Sequence, residues 1–262
     1  MGEPSESEMT FWDHLDELRK ILFRIAVFVV VVALVFFSFM RELFDNVILA
    51  PTRSDFFLYN WLNDLALKFP VLPDFCIGDF QVKIININLA SQFFIHMSTS
   101  FWFALVFSFP FVIYQLFLFV KPALYSHEQK NTGLAFFFGN LLFYIGVAVG
   151  YIMVFPLTLR FLAGYQLSSY IENSVSLDSY MGSFLMLCFI MGLVFELPLL
   201  SWLLSQIGIL RRSFFNKFRK HAIVALLVLA AFITPSSDPF TLMVVFLPIY
   251  MLWEISAMIV KK

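Results

Sequence analysis

The sequence predicts an all-α polytopic membrane protein: six transmembrane helices, both termini cytoplasmic, and the last two spans short. Three observations carry that expectation. Of 262 residues, 61% are hydrophobic and 13% charged, whereas soluble domains run about 45–50% and about 25%. Long uncharged runs recur, mean hydropathy is +0.86, and a crossing helix needs roughly 20 apolar residues. The basic residues are also unevenly placed. Arg19, Lys20, Arg24, Lys121, Lys130, Arg211, Arg212, Lys217, Arg219, Lys220, Lys261 and Lys262 make 12 on one side, against five on the other, Arg41, Arg53, Lys68, Lys83 and Arg160. The richer side is the cytoplasmic one by the positive-inside rule.

Residues 1–20 form an N-terminal segment that begins acidic and becomes amphipathic, with Phe11, Leu15, Leu18 and Leu22 at helical spacing. Ser7 or Thr10 is placed to cap it. An acidic start and no small-residue cleavage site argue against a removed signal peptide. The membrane domain follows over 21–260. Its first span is 21–39, interrupted by Arg24, which can snorkel. Residues 41–92 carry ten charged residues and Pro51, Pro70 and Pro73, and read as one long outer loop, with a short strand in FQVKIININLA. Uncharged runs over 93–120 and 131–159 give the second and third spans, joined by KPALYSHEQK. The fourth is 183–210, broken by one acid, Glu196, and followed by RRSFFNKFRK. Runs of 17 residues (221–237) and 15 residues (239–253) give the last two spans. At 1.5 Å per residue, the last of these covers only about 23 Å of a roughly 30 Å core.

Several function classes are excluded. The net charge is −1, so no basic field for nucleic acid exists. Cys76 and Cys188 stand far apart, His14, His96, His127 and His221 are scattered, and neither zinc nor a disulfide framework is supported. No cofactor is expected, and no hydrolase, P-loop or dinucleotide motif occurs. What remains is a set of acids. Glu196 is costly at mid-span, by about 2.5 kcal/mol or more, and should face a cavity, a polar partner or a partner helix. Pro198 should kink the span beside it. Glu254 and Asp238 fall near opposite ends of the last span, where interfacial placement is the simplest reading. Glu17 and Glu128 each lie beside a membrane entry on the basic side. They offer paired acceptors for a guanidinium, although local charge pairing with Lys20 explains Glu17 equally.

Several long motifs then stand in order: FWDHLDELRK before the first span, FPFVIYQLFLFVKPALYSHE closing the second, LLFYIGVAVGYIMVFPL in the third, FELPL in the fourth and ITPSSDP before the sixth. Together they resemble TatC, the multispanning receptor subunit of the twin-arginine protein translocase, from Phe11 to Glu254. The resemblance implies a receptor in a bacterial-type inner membrane for the twin-arginine signal peptides of folded cargo. Transport would be driven by the proton motive force. Its partners would be small single-span Tat subunits of the TatA/TatB type, in a multimeric complex. It implies that Glu17 and Glu128 recognise the arginine pair, with Arg19, Leu22, Phe119, Pro122 and Tyr125 shaping the same surface. Glu196 matches the family's intramembrane glutamate, Tyr151 its third-span tyrosine, and Pro51 and Phe93 its outer-loop proline and second-span aromatic. Asp238 matches the acid after the fifth span, one residue later than the commoner spacing; Ala123 stands where many members have Gly, and the first outer loop is long.

The competing class is a proton-coupled secondary transporter or channel with Glu196 as the titrating group. It explains the buried acid, yet the first three spans hold almost no ionisable residue to line a solute path.

Overall fold

The computed structural model of the chain describes residues 11–68, 82–120, 129–168, 170, 173–206, 208–236 and 238–260. Helix α1 runs Phe11–Leu43, a π-helical turn follows at Phe44–Ile48 and a 3-10 turn at Ala50–Thr52, and α2 spans Phe57–Lys68. After β1 (Ile84–Ile85) come α3 (Ser91–Val120) and α4 (Gln129–Val149). A second π-helical turn (Gly150–Val154) leads straight into α5 (Phe155–Gly164). Then β2 (Val175–Ser176) precedes α6 (Leu177–Val194), α7 (Leu197–Gln206), α8 (Arg212–Ile233) and α9 (Pro239–Ile259). In a bilayer every backbone polar group must be satisfied within the protein, which is why nearly all apolar sequence here is helical.

Five helical segments are long and apolar enough to cross a membrane, beginning at Leu15, Ser91, Phe136, Leu177 and Pro239. Helix α8 is not among them, because its first turns carry Arg212, Lys217, Arg219 and Lys220. Its helix also ends at Ile233, short of the 221–237 run read from the sequence. The expectation that the last span is short is overturned. Helix α9 has 21 residues, about 31 Å at 1.5 Å per residue, enough for a full crossing. The sequence reading stopped at Trp253 because Glu254 is charged; in the fold Glu254 pairs with Arg219 and the helix continues past it. At the N-terminal end, the amphipathic segment and the first span share one unbroken helix, α1, of 33 residues.

Helices α1 and α3 form an antiparallel pair, the most extensive contact in the structure. Its register is marked by Phe28 stacked on Phe111 at 4.2 Å, Phe36 against Phe103 at 5.8 Å and Phe37 on His96 at 4.0 Å. Pro110 cannot donate to the Val106 carbonyl one turn back. The Tyr144 hydroxyl of α4 donates to that carbonyl instead, at 3.3 Å. Helices α4 and α6 pack through glycines. A Cβ on Gly146 would lie 2.6 Å from the Met191 carbonyl oxygen, and one on Gly150 2.9 Å from Cys188 Cα, so this GxxxG pair sets the close approach. Gly192 of α6 does the same from the opposite side, against Phe143. Helices α8 and α9 make a hairpin, with α7 and α5 also against α9.

The short strand read in the outer loop exists as β1, paired in parallel with β2 through Ile84 with Val175 and Ile85 with Ser176. The main core, centred on α6, includes Tyr180, Leu187, Met191 and Ile249. Cys188 is buried there as a free thiol, the apolar filler its isolation suggests.

Candidate functional site

At 1.5 Å per residue the 33-residue α1 is about 50 Å long, well beyond the roughly 30 Å hydrocarbon core. Its first turns carry Asp16, Glu17, Arg19 and Lys20. Glu17 and Arg19 are exposed there and Leu22 is 53% exposed. Extending the α1–α3 register past Phe28 and Phe111 runs Arg19 and Leu22 to the level of the last turn of α3, where Phe119 is half-buried. The helix ends thus bring Glu17, Arg19, Leu22 and Phe119 to one end of the molecule. Pro122, Tyr125 and Glu128 lie outside the described residues, as do Ser7 and Thr10.

Glu196 occupies the break between α6 and α7. Pro198 is the cause: its nitrogen has no hydrogen to donate to the Val194 carbonyl, and the helix interrupts over Phe195 and Glu196. The carboxylate is 9% exposed and lies over the Gly139 face of α4, where a Cβ would sit 3.4 Å from Oε2. Oε1 has no hydrogen-bond partner among the described residues. A polar group buried this way calls for a donor or an acceptor beyond the described residues.

Tyr151 and Pro51 belong elsewhere, to a knot of hydrogen bonds around the segment that follows α1. The α1 helix ends in a π turn, which leaves carbonyls without helical partners. Three tyrosines supply the donors. Tyr151 donates to the Val47 carbonyl at 2.8 Å, Tyr180 to that of Ile48, and Tyr59 to that of Pro51 at 2.9 Å and of Pro156 at 3.3 Å. Burial raises the Tyr59 hydroxyl above the usual tyrosine range, against the opposing pull of Arg160, whose guanidinium lies 4.9 Å from the ring centroid. Phe93 is not part of this knot; it is exposed and packs edge-on against Phe94.

Asp238 is the N-cap of α9. It accepts from the Thr241 amide at 2.9 Å, the Thr241 hydroxyl and the Ser236 hydroxyl at 2.6 Å. Burial alone would raise its carboxyl, but the hydrogen bonds from Ser236 and Thr241 hold it below the usual carboxylate range. Glu254, read as interfacial, is in a two-bonded pair with Arg219 of α8, with Nε to Oε1 at 2.8 Å.

The chain matches the family model described as Sec-independent protein translocase protein (TatC) over residues 13–248. It belongs to the TatC family. A TatC of Blattabacterium sp. subsp. Periplaneta americana is 30% identical, across 96% of this chain and 94% of its own length. A TatC of Deinococcus radiodurans is 28% identical across 98% and 87%. The chloroplastic TATC of Arabidopsis thaliana is 29% identical across 98% and 68%. A crystal structure of the twin arginine translocase receptor TatC superposes with a TM-score of 0.72 at 27% identity, covering 94% of this chain and 97% of that one. A second, of the receptor in the detergent DDM, gives 0.75 over 95% and 100%.

TatC proteins are translocase components, not enzymes, and the transporter reading finds no support among these relatives. Three features of this TatC chain escaped sequence reasoning: the Tyr59 and Tyr180 hydrogen bonds to outer-loop carbonyls, the Arg219–Glu254 pair, and the Ser91 hydroxyl bonded to Asp178. Apart from the Tyr59–Pro51 bond, which spans 8 positions, these join residues 35 to 132 positions apart, and no local spacing signals them.

Proposed function

We propose that this TatC chain is the signal-peptide receptor of a twin-arginine translocase, with six spans and both termini on the cytoplasmic side of a bacterial-type inner membrane. The observation that carries the reading is the overlength α1, whose projecting end holds Glu17 exposed beside the end of α3. On this reading α8 is the fifth span, its basic first turns lie at the cytoplasmic interface, and the α8–α9 hairpin is the edge for small single-span Tat subunits. Glu17 and Glu128 accept the two guanidiniums of the peptide, each able to take two parallel hydrogen bonds that a lysine ammonium cannot reproduce. Arg19, Leu22, Phe119, Pro122 and Tyr125 shape the surrounding surface.

The test is peptide binding to the full-length protein in detergent or nanodiscs. Charge-assisted hydrogen bonds are worth about 1.5–3 kcal/mol, so Glu17→Ala or Glu128→Ala is expected to weaken a twin-arginine peptide about tenfold or more. A twin-lysine peptide is expected to bind the unaltered protein more weakly too. Unchanged binding by the Glu17→Ala/Glu128→Ala double variant overturns the assignment. Cysteine crosslinks of a small Tat subunit that appear at the first and third spans and not at α8–α9 overturn the docking edge.

A further inference from the structure

We propose that the groove between α3 and α6 is a binding site for one phospholipid of the ethanolamine class, its ammonium on Asp178 and one acyl chain along α6. The groove has a volume of about 670 Å³. It runs from Phe94 to Trp102 on α3 and from Asp178 to Ile190 on α6. Its walls are mostly apolar and adaptable, with Met97, Met181, Met186 and Trp102 in the lining, and its one charged residue, Asp178, stands at the end where both helices begin.

Length identifies the occupant. The thirteen-residue stretch from Asp178 to Ile190 rises about 18 Å at 1.5 Å per step. One leaflet of a roughly 30 Å core is about 15 Å deep. The groove therefore accommodates an acyl chain and stops where a leaflet stops, whereas a partner's spanning helix would need a groove through both.

Charge identifies the headgroup. Both Asp178 oxygens accept from the Ser91 hydroxyl, at 2.5 and 2.6 Å, and Oδ2 also from the Asn88 amide at 3.2 Å, so the carboxylate is fixed in position. It remains exposed, and among the described residues no Lys or Arg pairs with it. A primary ammonium can donate to such an oxygen; a choline headgroup has no N–H and a glycerol headgroup has no cation.

Gly182 is the independent observation. Gly139, Gly146, Gly150 and Gly192 each have an atom of this chain within 3 Å of where a Cβ would stand. A Cβ on Gly182 would meet nothing within 4 Å, as at Gly133, Gly164 and Gly208, but of these four Gly182 alone lines the groove. Packing within the chain gives no reason for a helix-weakening residue in the second turn of α6, and it lines the groove where a chain from outside would lie against the backbone.

The test is native mass spectrometry of the purified full-length protein, delipidated and then supplied with phosphatidylethanolamine, phosphatidylglycerol or phosphatidylcholine of identical acyl chains. Retention of the ethanolamine lipid is expected to exceed the others by about tenfold, the size of one charge-assisted hydrogen bond. Asp178→Asn, which keeps an acceptor for Ser91, is expected to abolish the preference. Gly182→Leu, which adds an apolar side chain to the groove lining at a position whose Cβ meets no atom, is expected to abolish retention. Gly133→Leu, equally unhindered and away from the groove, is expected to leave both unchanged. Equal retention of the three lipids by the unaltered protein, or a preference that survives either groove substitution, overturns the site.

Discussion

The Tyr151 hydroxyl donates to the Val47 carbonyl at 2.8 Å, so the middle of the α4–α5 helix holds the frayed end of α1. The two π-helical turns make this possible together. One, at Phe44–Ile48, leaves the carbonyl without a partner; the other, at Gly150–Val154, contains Tyr151 and precedes Pro156. An α-helical turn there would press the Pro156 ring against the Ile152 carbonyl, which the wider turn avoids.

Tyr151→Phe should leave the part-buried Val47 carbonyl without its donor and destabilise the protein by about 0.5–1.5 kcal/mol, the net worth of a typical hydrogen bond. Thermal unfolding in detergent measures it. Phe93→Leu, on an exposed ring outside the knot, should shift the midpoint far less.

Gly146→Leu should separate α4 from α6, because a side chain there meets the Met191 backbone oxygen at 2.6 Å rather than a movable side chain. Overpacking of this kind costs about 1–3 kcal/mol or more. Gly133→Leu, with no atom within 4 Å, is the matched control; equal unfolding midpoints for the two would refute the packing account.

These relationships show what was legible in the sequence. Helix content and the first four candidate spans followed from long apolar runs with at most one charge each, because a bilayer leaves the backbone no other choice. Asp238 was read as an interfacial acid and not as a cap, although an Asp directly before Pro239 at the first helical position is a capping signature. The last span was misread because charge was taken as its end; Glu254 lies inside α9, next to an arginine 35 positions away. Glu17 and Glu196 were singled out by cost and placement, which sequence displays directly. The tyrosine knot was not, because a buried tyrosine and a lipid-facing one look alike in an aromatic-rich chain.

The Arg219–Glu254 pair should tie α8 to α9 by geometry more than by energy. Arg219 is 55% exposed, and exposed pairs are worth about 0–1 kcal/mol. Arg219→Lys should leave global stability within about 1 kcal/mol while raising amide exchange at the start of α8. Exchange in α8 identical to the unaltered protein would show that the hairpin closes without the pair.

Asp238 gives the α9 cap a pH dependence whose sign is fixed. Its carboxyl is lowered in the folded protein, so its stabilising contribution is complete above the ordinary Asp value of about 3.9. It is lost as pH falls through the lowered folded value. Amide exchange at Thr241, taken relative to the rate of an unstructured amide at the same pH, should therefore be flat from neutral pH down to about pH 5 and accelerate in stronger acid. Asp238→Ala should show the fast rate at every pH, at a cost of about 0.5–2 kcal/mol, and Asp238→Asn should retain most of the cap.

Glu196 presents one carboxylate oxygen with no partner among the described residues, against a glycine face, at a helix break. Two roles fit an acid so placed, and substitution separates them. If a signal peptide or a partner helix supplies the missing hydrogen bond, shape and polarity matter and titration does not. Glu196→Gln should then keep substantial export of a folded twin-arginine reporter, while Glu196→Ala, which leaves no polar group to dock, should lose most of it. If the residue instead carries a proton in each cycle, the amide is as inactive as the methyl group and both variants stop. The orphaned oxygen favours docking, because within this fold the acid has no described relay partner to pass a proton to. The expected outcome is an active Gln variant and an inactive Ala variant of equal abundance in the membrane. Full export by both would show that neither a dock nor a proton carrier is needed at this position.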